Sequence, residues 1–172
     1  DIARDAGRAI LDVYEREFSV VHKEDRSPLT EADRAAHEII CARLEALTPD
    51  VPVLSEESAK VDYEKRAGWK RFWLVDPLDG TKEFINRNGE FTVNIALIDG
   101  HRPVLGVVYV PVTGLTYFAA AGHGAFRQKG ECEVEPIQAR RFQGDKPMIV
   151  ASRSHAGPET ETALLDLGTA TW

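Results

Sequence analysis

Two aspartates three positions apart close an apolar run and precede a glycine and a threonine, in Phe72-Trp73-Leu74-Val75-Asp76-Pro77-Leu78-Asp79-Gly80-Thr81. Carboxylates are hard oxygen donors, and Mg2+ typically takes one or two of them together with water and substrate phosphate. Gly80 lets the backbone come close to an anion, and the N–H groups of such a turn can hold phosphate oxygens. By itself Asp79-Gly80 is more simply an ordinary turn, as Asp99-Gly100 is. A second acidic pair, Glu56-Glu57, lies upstream and alone reads as a solvated pair. Thr30-x-x-Asp33 opens an apolar-periodic segment and reads as a capping box, although an N3 carboxylate can cap a helix and still face a site.

These residues need a scaffold, and the apolar spacing supplies one. Residues 2–18 place Ile2, Ala3, Ala6, Ala9, Ile10, Val13 and Tyr14 on one helical face, and Ala32, Ala35, Ala36, Ile39, Ile40, Leu44 and Leu47 form a second. The pattern then shortens to strand-like runs at 51–54, 72–75, 91–98, 104–110 and 115–120. Pro77, with no N–H to donate, is expected to stop the ladder of its strand. Asp99-Gly100 and Pro111-Val112-Thr113-Gly114 are turn signals that imply antiparallel hairpins. Gly122-His123-Gly124 turns the chain again, and 131–141 is polar with no defined pattern. Two helices followed by a meander predict an α+β fold, two N-terminal helices packed on an antiparallel sheet. Residues 1–146 are expected to form this domain. A strand at 148–151 and a helix at 158–167 would open a second α/β domain over 147–172, only begun within the 172 residues.

Composition excludes several functions. A net charge of −7 argues against a nucleic acid polymer as ligand, since such binding depends on Lys and Arg displacing counterions. A small phosphorylated metabolite stays open, because bound cations reverse the local sign of a carboxylate-rich pocket. The two cysteines, Cys41 and Cys132, have no metal-ligand or disulfide spacing, which favours a reducing compartment. No apolar run reaches the roughly 20 residues of a membrane span. With no leader segment visible, the expected location is the cytoplasm.

The segment from Asp76 to Thr81 has the form DPxDGT, and with it the chain resembles the inositol monophosphatase superfamily of sugar phosphatases. The Lys82-Glu83-Phe84 that follows is similar to the 3′(2′),5′-bisphosphate nucleotidase branch, the CysQ type, rather than to the Thr-Asn-Phe usual in inositol monophosphatases. Residues 27–33, 52–57, 87–96 and 151–155 resemble segments of the same branch in the same order. The resemblance implies the sugar-phosphatase fold, a layered α/β sandwich, and a phosphoric monoester hydrolase that is Mg2+-dependent and lithium-sensitive. The implied reaction converts adenosine 3′,5′-bisphosphate to AMP and phosphate during sulfate assimilation. Inositol monophosphate or another sugar phosphate is the alternative substrate, and a homodimer is compatible with the superfamily.

Residue by residue, the resemblance makes Glu56, Asp76 and Asp79 carboxylate ligands of two or three Mg2+ ions, with Li+ inhibitory. The Leu78 carbonyl is a further ligand. Asp33 and Thr81 orient the attacking water, and Glu57 is an acid behind the ligands. Substrate is expected against Glu56, Leu78, Asp79, Gly80 and Thr81, and the nucleotide against Ser152 and His155, the latter otherwise a surface histidine. Members of the superfamily continue into a second domain whose Trp-Asp-(Thr/Ser)-Ala-Ala motif brings another ligand, and these 172 residues contain no such motif. A truncated chain is the corresponding expectation, with weaker metal binding and poor turnover. In the extreme it would be a metal-binding or dimerising fragment without activity.

Overall fold

The computed structural model describes residues 1–17, 20–22, 28–58, 61–139 and 141. Contacts group Asp1–Ile137 into one compact unit. The strand and helix expected at 148–151 and 158–167, and with them the second domain, lie outside the described residues.

The chain runs α1 (Ile2–Tyr14), β1 (Val20–His22), β2 (Pro28–Thr30), α2 (Glu31–Leu47), β3 (Val53–Ser55), α3 (Tyr63–Ala67), β4 (Arg71–Asp79), α4 (Thr81–Ile85), β5 (Thr92–Asp99), β6 (Arg102–Val110), β7 (Leu115–Ala120), β8 (Gly124–Lys129) and β9 (Glu135–Ile137). Strands β1 and β2 pair as a small ribbon, and β3 to β9 form one sheet in chain order. The α+β architecture expected from the periodicity is present, with α1 and α2 packed on each other and on the central strands.

Three expectations change. The first helix stops at Tyr14, because the next position on its apolar face is occupied by Glu17, which is exposed. Strand β3 pairs with β4 in parallel, not antiparallel. A parallel neighbour needs a crossover, and residues 56–70 with α3 supply it. Pro77 does not end β4: Asp76 faces Asn94 and Asp79 faces Thr92, so three steps on β4 match two on β5. The extra residue is a bulge, which accommodates a proline inside a ladder. Strands β8 and β9 and the short helices α3 and α4 carry too little apolar periodicity to be read from the sequence. No helix among the described residues is long and apolar enough to cross a membrane.

One face of the sheet holds Trp73, Val75, Val93, Ile95 and Tyr109 against Ala3, Ala6, Ile10, Val13, Ala36, Ile40 and Leu44 of the helices. Gly7 permits the close approach of α1, since a Cβ there would lie 2.3 Å from Tyr109 Cε1. Phe84 is fully buried, with its ring 5.1 Å from Tyr14 and 5.3 Å from Phe91. Aromatic clusters of this kind anchor by large buried area and tilted contacts. Here the cluster pins α4, whose first residue is Thr81, to the core.

Candidate active site

Four elements meet where β4 ends. Thr30 caps α2, and its side chain and Asp33 form a full capping box. Asp33 is 2% exposed, and its Oδ2 accepts from the Thr30 N–H at 2.8 Å and from the Thr30 hydroxyl at 2.6 Å. Its other oxygen, Oδ1, faces the Thr81 hydroxyl at 3.4 Å, and that hydroxyl also lies 3.3 Å from the Leu78 carbonyl. The capping reading of Asp33 therefore holds, and the same carboxylate also reaches Thr81. Two residues distant by 48 positions meet because the bulge and Gly80 turn the chain from β4 directly into α4.

Gly80 holds φ +92° and ψ 39° as the residue before α4. A Cβ at that position would lie 2.9 Å from the Glu90 carbonyl oxygen. Gly80→Ala should cost about 1–3 kcal/mol of stability, from the left-handed backbone and this contact together. Urea denaturation of the variant beside the parent chain measures it.

The parallel pairing of β3 and β4 sets the next carboxylates. Ser55 is in register with Val75, and the Glu56 N–H donates to the Val75 carbonyl at 3.0 Å, so the ladder runs one residue beyond β3 and brings Glu56 abreast of Asp76. The Ser58 N–H closes a turn onto the Ser55 carbonyl at 3.1 Å. Glu56 and Glu57 are thus the two central residues of a four-residue turn, Glu56 exposed and Glu57 half-buried. Asp79 is exposed and accepts from the Asn94 amide at 3.2 Å, while Asn94 Oδ1 lies 3.1 Å from the Thr92 hydroxyl. The Leu78 side chain is buried in the core, which leaves only its carbonyl available at the site.

Asp76 carries the electrostatic signature of the site. Burial pushes its carboxyl up to about 7, and the neighbouring Glu56, Asp79 and Asp33 charges push the same way against a hydrogen bond from the Leu78 backbone. Its Oδ1 is buried with no hydrogen-bond partner in the protein. A buried orphan oxygen among carboxylates is explained when a cation completes it, because the cation supplies the missing partner and reverses the repulsion. All the donors are hard oxygens, the set that suits Mg2+. Among the described residues no three His, Cys, Asp or Glu side chains converge into a ready ligand cluster. A cation here would therefore draw on the Leu78 carbonyl and on phosphate or water besides Asp76 and its neighbours, as Mg2+ usually does. Glu56, Asp76 and Asn94 also line an open groove of about 550 Å3 whose other walls are mainly apolar, among them Leu54, Leu74 and Val108.

The structure thus gathers Asp33, Thr81, Leu78, Asp76 and the Glu56–Glu57 turn at one end of the sheet, with Asp79 and Gly80 on the same bulged corner. Ser152 and His155 lie outside the described residues. Sequence reading gave no role to Asn94, which strand register places opposite Asp76. It also missed Ser55 and His37, whose side chains are joined at 2.8 Å across 18 positions.

A model of the inositol monophosphatase family matches residues 1–166. The 3′(2′),5′-bisphosphate nucleotidase CysQ of Escherichia coli K12 is 55% identical over 170 residues, which is 97% of this chain and 67% of that protein. The crystal structure of CysQ from Bacteroides thetaiotaomicron, described as a bacterial member of the inositol monophosphatase family, superposes with a TM-score of 0.80 at 48% identity. It covers 97% of this chain and 65% of that one. The chain therefore spans about two thirds of the length of these relatives. A fold-level neighbour at 22% identity and TM-score 0.63, covering 72% of this chain and 46% of its own, is an IMPase/NADP phosphatase complexed with Mg2+ and phosphate. The match over nearly the whole chain, with the DPxDGT corner at its centre, makes the protein a member of the inositol monophosphatase family.

Proposed function

We propose that the protein is a Mg2+-dependent, lithium-sensitive phosphatase that hydrolyses adenosine 3′,5′-bisphosphate to AMP and phosphate. The observation that carries this reading is the meeting of the Asp33–Thr81 pair with Asp76, whose buried Oδ1 lacks a protein partner. The similarity to CysQ over 97% of the chain supports the bisphosphate nucleotide as substrate.

Glu56, Asp76, Asp79 and the Leu78 carbonyl would hold Mg2+. When bound, Mg2+ supplies charge stabilisation to the phosphoryl group and the leaving oxygen and makes the attacking water more acidic. The remaining tasks fall to the chain itself. Asp33 is held rigid through Oδ2 by its two bonds from Thr30, so Oδ1 is left to accept a hydrogen bond at a fixed place. Thr81 donates its single hydroxyl hydrogen to that oxygen at 3.4 Å, which leaves its lone pairs to accept from a water and so pass the alignment on. Positioning of this kind lowers the barrier by removing motions that the reaction would otherwise have to arrest. Asn94 restrains the exposed Asp79, and the backbone ladder restrains Glu56. Glu57, next in the same turn, adds negative charge behind these ligands.

The test is phosphate release from adenosine 3′,5′-bisphosphate and from inositol 1-phosphate by the complete gene product, with Mg2+ and with or without Li+. Lithium-inhibited release that favours the nucleotide is the expected result. Preference for inositol 1-phosphate would overturn the substrate, and release unaffected by chelating the divalent cation would overturn the mechanism.

A further inference from the structure

We infer that His37 is a positioning residue for the acidic turn at Glu56, acting through the Ser55 hydroxyl. The inference rests on the reading of Glu56 as a Mg2+ ligand and adds a residue to which no role has been given above. His37 lies one helical turn after Asp33 on α2, so both side chains project from the same face. Its Nδ1 is hydrogen-bonded to Ser55 Oγ at 2.8 Å, and Ser55 is 5% exposed. Cys41, a further turn along, brings its Sγ to 3.5 Å from the same Nδ1 and walls the ring on that side.

Ser55 is the first corner of the turn that presents Glu56 and Glu57, closed by the Ser58 N–H. On the β4 side this turn is fixed by the backbone bond from the Glu56 N–H to the Val75 carbonyl. The His37–Ser55 bond fixes it on the opposite side, to the helix. One rigid element, α2, therefore sets the position of Asp33 directly and of Glu56 through a single intervening hydroxyl. If either bond is lost, the backbone of the turn that carries Glu56 gains freedom that must be given up again when a cation binds. Outer partners that orient ligands in this way commonly affect metal affinity by roughly 10–100-fold.

The experiment is direct Mg2+ binding by isothermal titration calorimetry on the complete gene product, alongside the melting temperature of each metal-free variant. Ser55→Ala and His37→Phe should each weaken Mg2+ binding about tenfold, the lower end of that range. His37→Asn, which keeps a polar atom near the Nδ1 position, should recover most of the loss. The double variant Ser55→Ala/His37→Phe should bind no more weakly than either single one, since the two residues act as one link. A lowered melting temperature with Mg2+ affinity unchanged within about twofold would overturn the inference and leave the bond a packing feature. If Asn fails to recover binding although that variant melts like the parent, the inference is overturned as well. Failure of the parent protein to bind Mg2+ would instead bring down the reading of Glu56 as a ligand, and the inference with it.

Discussion

Asp76→Asn should lower Mg2+-dependent phosphate release by about three orders of magnitude and, at the same time, raise the melting temperature of the metal-free protein at pH 8. The loss of rate corresponds to a few kcal/mol of charge stabilisation withdrawn from the phosphoryl group. The gain in stability has a separate cause. In the folded protein burial and three neighbouring acids hold the Asp76 proton until about pH 7, while in the unfolded chain it leaves in the ordinary carboxylate range. The folded state thus binds the proton more tightly, and the contribution to stability is fully present below about pH 4. It is lost as the pH rises through about 7, where the folded chain must carry the charge without compensation. Asparagine carries no charge at any of these values. Its advantage in melting temperature should be several degrees at pH 8 and should shrink toward nothing near pH 4. Mg2+ at 100 times its dissociation constant should return about 2.7 kcal/mol to the wild-type chain at pH 8 and much less to the variant. Differential scanning fluorimetry across pH, with and without Mg2+, separates these outcomes. Equal melting temperatures for both proteins at pH 8 would show that Asp76 is not strained by its surroundings.

Asp33→Asn should lower kcat by about 10²–10³-fold with Mg2+ affinity nearly unchanged, within the range of a positioned proton acceptor. Asn has a single acceptor oxygen, and Asp33 uses both of its own: Oδ2 toward Thr30 and Oδ1 toward Thr81. The Thr30 N–H and hydroxyl both donate to this position, so the stable arrangement keeps the Asn oxygen on Thr30 and turns the amide NH2 toward Thr81. Thr81 then faces a donor where it had an acceptor, and the alignment of water is lost. Stability should fall by only about 0.5–1.5 kcal/mol, the net worth of a hydrogen bond or two at a cap. Asp33→Ala should cost more, because the buried Thr30 groups lose their partner entirely. Kinetics paired with urea denaturation checks both. A kcat within about threefold of wild type in a well-folded Asp33→Asn would reduce Asp33 to a cap.

The helices were legible because their apolar positions recur at helical spacing on faces that end up buried, as Ala36, Ile40 and Leu44 do. The hairpins at Asp99-Gly100 and Pro111–Gly114 were legible because turn residues act locally. The parallel entry of β3 was not, since strand direction depends on a crossover whose α3 has no buried residues to give it periodicity. Nor was the bulge at Pro77: proline in isolation argues for the end of a strand, and only pairing with Thr92 and Asn94 keeps β4 going to Asp79. Strands β8 and β9 fall at the edge of the sheet, where alternation is weak because little of either face is covered.

Residue types and spacing alone determined the chemical kind of the site: hard oxygen donors at Asp76 and Asp79, a glycine where the chain must turn, and the capping pattern at Thr30 and Asp33. They also carried the family, because the DPxDGT corner and its companion segments are contiguous stretches of chain. Only the tertiary structure decided which of these groups act together. The meeting of Asp33 with Thr81, of Asp79 with Asn94, and of His37 with Ser55 spans 48, 15 and 18 positions. Such meetings are set by strand register and helix packing, which no local pattern encodes. The raised carboxyl of Asp76 belongs to the same class, since burial and the charges of Glu56, Asp79 and Asp33 act on it through space and not along the chain.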